Sequence, residues 1–245
     1  SSQIKKIFIT HMHGDHIYGL PGLLATLGLS GNSKGIEIYG PSGLRSFINS
    51  ALSSSFCKLS FPLHFVEVEN YASENKILFE NNKIKVNCAC LKHRIPAYGY
   101  RVSEKDKPGL FDIKKAESMK IAPGPIYSEL QQGKKVVLED GRTVDGREFC
   151  GPPRKGESFV YCTDTVFSES AVSLSKNVDL LVHESTFSEE DESMAYKKLH
   201  STTIMAAKTA LLSKAKKLII THLSPRYTNK NSITPSDLLK EAQKV

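Results

Sequence analysis

The densest group of chemistry-bearing side chains in this sequence lies near its start. Segment 10–16 reads THMHGDH, and within six residues it carries three histidines and one aspartate: His11, His13, Asp15 and His16. Imidazole nitrogens and carboxylate oxygens are good ligands for Zn²⁺ and similar divalent metals. One four-coordinate ion cannot comfortably use every group of so tight a loop, whereas two neighbouring ions can. The spacing therefore predicts a site for two metal ions.

A site for two ions needs further ligands, and three candidates follow strand-like apolar runs elsewhere in the chain. These candidates are His93, Asp164 and His222. A carboxylate such as Asp164 can bridge two ions, because each of its oxygens can bind a different one. A lone histidine at the end of a strand is more often hydrogen-bonded than metal-bound. In combination with the loop at 10–16, however, the metal interpretation is favoured.

Alternating strands and helices must position these groups. Apolar runs predict strands over 4–10, 36–39, 61–68, 84–91, 98–102, 159–162, 178–183 and 218–221. A helix is predicted after the turn at 40–42, and a second is predicted to begin with Ser201 as its cap. A third helix begins at Thr234, where a cap residue, a proline and an acid stand in the first turn.

Composition narrows the class of protein. The chain has 245 residues, 40% of them hydrophobic and 24% charged, which is ordinary for a globular protein with its own core. A formal net charge of +7 favours polyanionic partners such as nucleic acid. Five cysteines, an odd and irregularly spaced set, indicate reduced thiols rather than disulfides. We therefore expect a cytoplasmic protein, with an organellar location left open, and no membrane span.

One segment differs from the rest. Residues 101–156 hold 12 of the 27 glycines and prolines of the chain, which predicts a long loop region. A loop of this length inside a compact domain is usually functional or disordered. A mobile surface insertion without a function is the alternative.

The order of the candidate ligands, HxHxDH followed by His, Asp and His, resembles the metallo-β-lactamase superfamily. Within it, THMHGDHIYGLPGLL at 10–24 is similar to the ribonuclease Z family of tRNA 3′-processing endonucleases. Further segments match that family from about residue 4 to the end: IEIYGP at 36–41, GYRV at 99–102, APGPIY at 122–127, LEDGR at 138–142, VHESTF at 182–187, LHSTT at 199–203 and THLSPRY at 221–227. HxHxDH alone marks only the superfamily, whereas these segments together are far more specific.

The resemblance implies a role for each candidate ligand in binding two Zn²⁺ per subunit, although other divalent metals also fit. One ion would be held by His11, His13 and His93. The second would be held by Asp15, His16 and His222, and Asp164 would bridge the two.

The resemblance also implies catalytic and substrate-binding residues. Asp15 would accept a proton from the attacking water, His200 would assist near the leaving group, and Glu184 would support His200. Arg226 would lie near the scissile phosphate. Structural roles are open alternatives: His200 as part of a helix N-terminus, Glu184 as a strand-end carboxylate and Arg226 as a surface cation.

The implied fold is a four-layer αβ/βα sandwich over residues 1–245, with 105–155 as an inserted, flexible arm that binds tRNA. Gly124 and Pro125 of the arm would contact the substrate. The implied assembly is a homodimer in which one subunit presents precursor tRNA to the site of the other. No nucleotide cofactor is expected.

The sequence departs from the family pattern at its start. Family members begin with strands that carry a Gly-Thr segment and an Asp-x-Gly-Glu segment, and neither occurs here. The last predicted helix is also cut short. We therefore expect strands to be missing at both ends of this chain.

Three functions remain to be distinguished. The first is an endoribonuclease that removes the 3′ trailer of precursor tRNA and leaves a 3′-hydroxyl on the tRNA and a 5′-phosphate on the trailer. The second is another hydrolase of the superfamily, such as a small phosphodiesterase, thioesterase or lactamase, which would not need the arm. The third is a non-catalytic RNA-binding module.

Overall fold

The computed structural model describes residues 4–72, 77–227 and 233–245. The chain divides into two compact units, one formed by Ser1–Ser103 with Ser158–Val245 and the other by Glu104–Glu157. The second unit is thus inserted in the sequence of the first. Among the described residues, no helix is both long and apolar enough to cross a bilayer.

The described residues form the following strands and helices. The strands are β1 (Lys6–Phe8), β2 (Ile36–Gly40), β3 (Leu63–Glu67), β4 (Ile77–Glu80), β5 (Ile84–Leu91), β6 (Ala97–Glu104), β7 (Lys135–Val137), β8 (Thr143–Asp145), β9 (Ser158–Cys162), β10 (Leu180–Glu184) and β11 (Leu218–Thr221). The helices are α1 (Gly14–Ile17), α2 (Gly19–Leu29), α3 (Leu44–Ser54), α4 (Glu69–Ala72), α5 (Ile113–Ser118), α6 (Pro125–Gln131), α7 (Glu169–Leu174), α8 (Glu192–Lys198), α9 (Thr203–Ser213) and α10 (Pro235–Ala242).

The first unit contains two sheets. The smaller is parallel, in the order β1-β2-β3. The larger has the order β11-β10-β9-β6-β5-β4, in which β9, β10 and β11 are parallel and β6 is antiparallel to β9. The register pairs Cys162 with His183 and Glu184 with Thr221. The carboxyl ends of β9, β10 and β11 therefore lie together at one edge of the sheet.

Three apolar clusters hold four layers together. The first joins the small sheet to α2 and α3, with Leu20, Leu24, Leu27, Ile36, Ile38, Leu44 and Ile48 among its members. The second lies between the two sheets and includes Phe8, Tyr39, Val86, Cys88, Tyr98 and Tyr100. The third joins the large sheet to α7 and α9 and includes Val160, Cys162, Ala171, Leu174, Leu181 and Ala210. The layers run helix, sheet, sheet, helix, which confirms the predicted αβ/βα sandwich.

Local predictions were right in type and wrong in some details. The third predicted helix is α10, where Thr234 and Asp237 form a capping box. Ser201 does not cap α9: the cap is Thr202, whose hydroxyl accepts from the Met205 N–H, while the Ser201 hydroxyl donates to the Thr165 carbonyl. Helix α2 was not predicted, because its sequence GLPGLLATLGL is apolar on most faces and shows little helical periodicity.

The second unit has its own core, so the prediction of a long loop over 101–156 was wrong. Helices α5 and α6, the antiparallel β7–β8 hairpin and a short 3-10 turn surround a buried cluster: Ala116, Ile121, Leu130, Val144 and Phe149. Gly146 is required for this packing, since a Cβ there would lie 2.2 Å from the Leu130 carbonyl oxygen. The Gly/Pro-rich composition reflects turns within a folded unit.

All five cysteines are free thiols, as expected. Cys88 and Cys162 are buried, and burial raises the pKa of each to about 12. Cys90, near the end of β5, is exposed.

His183 is a buried polar residue in the apolar layer beneath the large sheet. It lies on β10 two residues after Leu181 and is paired with Cys162, and both of these belong to the cluster that packs on α7 and α9. Its Nδ1 hydrogen-bonds to the Glu184 carbonyl oxygen at 2.7 Å, and its Nε2 has no partner among the described residues. Burial lowers the pKa of His183, so the folded protein holds this ring neutral.

This burial predicts a contribution to acid instability. In the unfolded chain the His183 pKa is near the ordinary 6.5. Below that pH the ring is protonated in the unfolded state but stays neutral in the folded state. Stability is therefore lost as pH falls from 6.5 towards the lowered pKa of the folded state. We expect His183→Leu to flatten the slope of unfolding free energy against pH between 5 and 6.5 by up to about 1.4 kcal/mol per pH unit, measured by urea unfolding of metal-free protein. An unchanged slope would contradict this assignment.

Candidate metal centre

The loop after β1 supplies two histidines and the segment after β5 a third, and the three rings converge on Asp164. His11 Nε2 lies 3.1 Å from His13 Nδ1, and His93 Nε2 lies 3.2 Å from the same His13 atom. Asp164 Oδ2 faces this group at 3.4 Å from His11 Nε2 and 3.8 Å from His93 Nε2. These four side chains offer one ligand atom each within 4.8 Å of one another. They are the residues expected to hold one ion, together with the expected bridge.

A second group lies on the other side of Asp164. His16 Nε2 is 3.3 Å from Asp15 Oδ2, and His222 Nε2 is 4.0 Å from the same oxygen. Asp164 Oδ1 faces this group at 3.3 Å from His16 Nε2 and 3.4 Å from His222 Nε2. Each oxygen of Asp164 therefore points at a different group. The structure brings together all seven residues that the sequence nominated as ligands.

Two candidate ligands far from the 10–16 loop in the sequence have left-handed backbone conformations. Asp164 and His222 have positive φ, +48° and +57°. Asp164 lies two residues after the end of β9, and His222 directly follows β11. Residues other than glycine adopt this conformation at some energetic cost, and such residues cluster at functional sites. Here the left-handed turn directs each side chain from the end of its strand towards the loop that carries His11 and His16.

Hydrogen bonds on the outer nitrogens orient the rings. His11 Nδ1 meets Thr10 Oγ1 at 3.1 Å, and His93 Nδ1 meets the Leu199 carbonyl oxygen at 2.9 Å. A carbonyl oxygen only accepts, so His93 carries its proton on Nδ1 and presents the Nε2 lone pair inward. Leu199 itself has φ +55° and directly precedes His200.

Glu184 is the most highly connected group behind the centre. It is fully buried at the end of β10 and accepts hydrogen bonds from five donors. The donors are the backbone N–H groups of Thr165 (2.8 Å), Thr186 (3.1 Å) and Ser201 (3.0 Å), the Thr186 hydroxyl (2.7 Å) and His200 Nδ1 (2.8 Å). Burial would raise the pKa of Glu184, but the bond from His200 and the other donors hold it below its usual value. This carboxylate thus ties together the chain segments that carry Asp164 and His200.

His200 stands beside both groups. Its ring centroid lies 5.0 Å from that of His93 and 5.5 Å from that of His222. Burial would lower the pKa of His200. The hydrogen bond to Glu184 and the negative charge of Glu184 outweigh burial and raise this pKa above its usual value. Since Nδ1 is engaged by Glu184, Nε2 is the nitrogen available to a bound molecule.

Arg226 lies at the outer side of this cluster. Its guanidinium stacks 5.2 Å from the Phe187 ring centroid, and that ring lies 6.2 Å from the His200 ring. Arg226 Nη1 is 3.3 Å from Asp191 Oδ2, and the side chain is 46% exposed. Gly124 and Pro125 lie in the second unit, at the start of α6, and not among the residues gathered here.

The donor set fits divalent metal ions. Burial lowers the pKa of His13, His16 and His93, so these rings are neutral, the form that binds a metal. Burial alone would raise the pKa of Asp164, but the bond from His11 and the charge of His222 hold it well below its usual range. Imidazoles and ionised carboxylates that converge in this way are the ligands expected for zinc or a similar ion.

Comparisons with known proteins identify the family of this chain. A family model described as the metallo-beta-lactamase superfamily matches residues 1–30. Ribonuclease Z of Prochlorococcus marinus (strain MIT 9301) is 93% identical over 245 residues, which are all of this chain and 78% of that relative. The chain belongs to the ribonuclease Z family. The ribonuclease Z of strain NATL2A of the same species is 58% identical over 244 residues, again 78% of its length.

A solved structure supports the same membership. Human tRNase Z, short form, is 30% identical, with a TM-score of 0.63 over 95% of this chain and 76% of that one. The expected family and fold are therefore confirmed.

Some supporting residues were not predicted from the sequence. Thr186 donates to Glu184 and lies 2.8 Å from His222 Nδ1, so it links a ligand to the buried carboxylate. Thr10 and the Leu199 carbonyl support two other ligands. Thr10 directly precedes the predicted ligand His11, and Thr186 lies two residues after the predicted site residue Glu184. This closeness in sequence is the one feature that could have predicted their roles. The role of the Leu199 carbonyl depends on backbone conformation, which no side-chain pattern reveals.

The Thr186 contacts predict a loss of metal affinity on substitution. Thr186→Val leaves His222 Nδ1 without its partner and removes one donor from Glu184. We expect the metal affinity to fall roughly 10- to 100-fold, as for other outer partners of ligands, and Thr186→Ser to retain it. Competition with a zinc chelator measures this. Thr26→Val, which removes an exposed hydroxyl on α2, is the matched control, and equal affinities in all variants would contradict the role.

Proposed function

We propose that this chain is the catalytic part of an endoribonuclease that removes the 3′ trailer of precursor tRNA by hydrolysis. The observation that carries the proposal is Asp164, whose two oxygens face two separate groups of metal-ligating atoms. Membership of the ribonuclease Z family and the human tRNase Z neighbour supply the substrate class. The products would be a tRNA with a 3′-hydroxyl and a trailer with a 5′-phosphate.

We propose that the centre holds two Zn²⁺ ions. His11, His13 and His93 would hold one ion, Asp15, His16 and His222 the other, and Asp164 both. When bound, two such ions supply an activated water near neutral pH and stabilise charge on a phosphoryl group. The site would accept other divalent ions with similar ligand preferences.

The side chains of the centre divide the remaining work. The Asp15 side chain is 69% exposed and would accept a proton from the attacking water. His200, oriented through Nδ1 by Glu184, would donate a proton from Nε2 to the leaving 3′-oxygen. Arg226, half-exposed beyond the Phe187 ring, would contact the scissile phosphate.

We propose that the second unit, Glu104–Glu157, binds the tRNA body as the family's arm does. Gly124 and Pro125 would form part of that surface. Structured RNA is recognised largely by shape and by phosphate contacts, which a folded unit of this kind can provide. We further propose a homodimer, in which one subunit's arm presents tRNA to the partner's site, and a cytoplasmic location, where precursor tRNA and reduced thiols occur together.

Cleavage of a 3′-extended precursor tRNA tests the proposed reaction. We expect a cut just after the discriminator nucleotide. We expect Asp15→Ala to lower the cleavage rate by at least about 10²-fold, because the variant loses both the proposed proton acceptor and a ligand of the second ion. Glu190→Ala, at an exposed acid outside the centre, should behave as wild type. A wild-type chain with two bound metals that leaves the precursor uncut would contradict the proposal.

Replacement of the second unit distinguishes tRNA processing from the activity of another superfamily hydrolase. Strands β6 and β9 pair as far as Ser103 with Ser158, and Glu104 N lies 2.8 Å from the Glu157 carbonyl oxygen, so a short Gly-Ser turn can replace residues 105–155. We expect this variant to hydrolyse bis(p-nitrophenyl) phosphate like wild type and to lose at least about tenfold in kcat/KM on precursor tRNA. Equal kcat/KM on tRNA for both proteins would favour a function in which the second unit has no part.

A further inference from the structure

Tyr18 is a large aromatic side chain that lies open to solvent beside the metal centre. It directly follows α1, the helix that carries Asp15 and His16, and it is 72% exposed. Its backbone N–H donates to the Gly14 carbonyl oxygen at 2.8 Å, which fixes the residue against this helix. A ring with so much exposure contributes little to core packing.

The Tyr18 ring rests on Gly14, between two candidate ligands. A Cβ built on Gly14 would lie 2.3 Å from Cε2 and 2.5 Å from Cζ of Tyr18. Any side chain at position 14 would therefore displace the ring. The absence of a side chain at Gly14 lets the ring lie directly on the backbone that joins His13 to Asp15.

A second aromatic residue supports the ring from the side. The Phe47 ring centroid lies 6.1 Å from that of Tyr18, with an interplanar angle of 31°. Phe47 is itself anchored against the cluster of α2 and α3. Tyr18 therefore has a defined position while most of its surface stays in solvent.

We propose that Tyr18 is the stacking platform for one nucleobase that flanks the scissile phosphate, an inference that rests on the proposed function. Unpaired bases of an RNA 3′ end stack on aromatic side chains whatever their identity, since every base has a π-face. The ring touches the backbone between His13 and Asp15. We place the nucleotide that adjoins a bound phosphodiester against this ring, because the ring lies on the backbone between two of the proposed ligands. A base of any identity at that position would be held in this way.

The test pairs changes in the enzyme with changes in the RNA. Wild type, Tyr18→Ala and Tyr18→Phe are assayed on precursor tRNA with a natural base, or with an abasic nucleotide at the discriminator or at the first trailer position. We expect Tyr18→Ala to raise KM roughly 5- to 150-fold with kcat nearly unchanged, the range that one stacked base gives, and Tyr18→Phe to stay near wild type. Phe56→Ala, at a 93% exposed ring beyond the end of α3, is the control and should match wild type.

The decisive result is non-additivity. At one of the two positions, removal of the base should raise the KM of the wild-type enzyme. For Tyr18→Ala, the abasic substrate and the natural substrate should have the same KM, because the stacking contact is already lost. Additive losses at both positions, or a KM unchanged by Tyr18→Ala, overturn the stacking proposal while the proposed function stands. Conversion of a wild-type dimer to a Tyr18→Ala monomer in sedimentation assigns the ring to a contact between copies and also overturns it. A wild-type chain that leaves the precursor uncut overturns both proposals.

Discussion

The candidate centre depends on the buried carboxylate of Asp164. A carboxylate in so enclosed a position costs several kcal/mol unless hydrogen bonds or positive charges compensate it. Histidines from three loops face its two oxygens, and Thr163 donates a hydrogen bond to Oδ1 at 2.7 Å. Two bound cations would supply the remaining compensation. The four layers bring the loops after β1, β5, β9 and β11 to this one carboxylate.

A second buried carboxylate, Glu184, explains how these loops keep their positions. Its five donors come from the residues that follow Asp164, from the turn after β10 and from the start of the segment leading to α9. Through Thr186 it reaches His222, and directly it reaches His200. A network in which every acceptor is satisfied is rigid, and a rigid network can hold ligand atoms ready before an ion arrives.

The sequence predicted the seven candidate ligands because their residue types are rare in combination and each follows an apolar strand. The layer order followed from the resemblance of the motifs to the metallo-β-lactamase superfamily, whereas the alternation of strands and helices by itself indicates only an α/β protein. The sequence did not predict that residues 101–156 fold around a core of their own, because glycines and prolines at turns conceal short elements. Nor could it reveal Leu199, whose contribution is a carbonyl oxygen placed by a positive φ, or the ring of Tyr18 on Gly14, which depends on three-dimensional approach.

We propose that Asp164 joins two metal sites. Crystals of the wild-type chain grown with Zn²⁺, with anomalous diffraction data collected on both sides of the zinc absorption edge, test it most directly. We expect two anomalous peaks, one beside Oδ2 among His11, His13 and His93 and the other beside Oδ1 among Asp15, His16 and His222. A single peak, or a pair of peaks of which only one contacts Asp164, would contradict it.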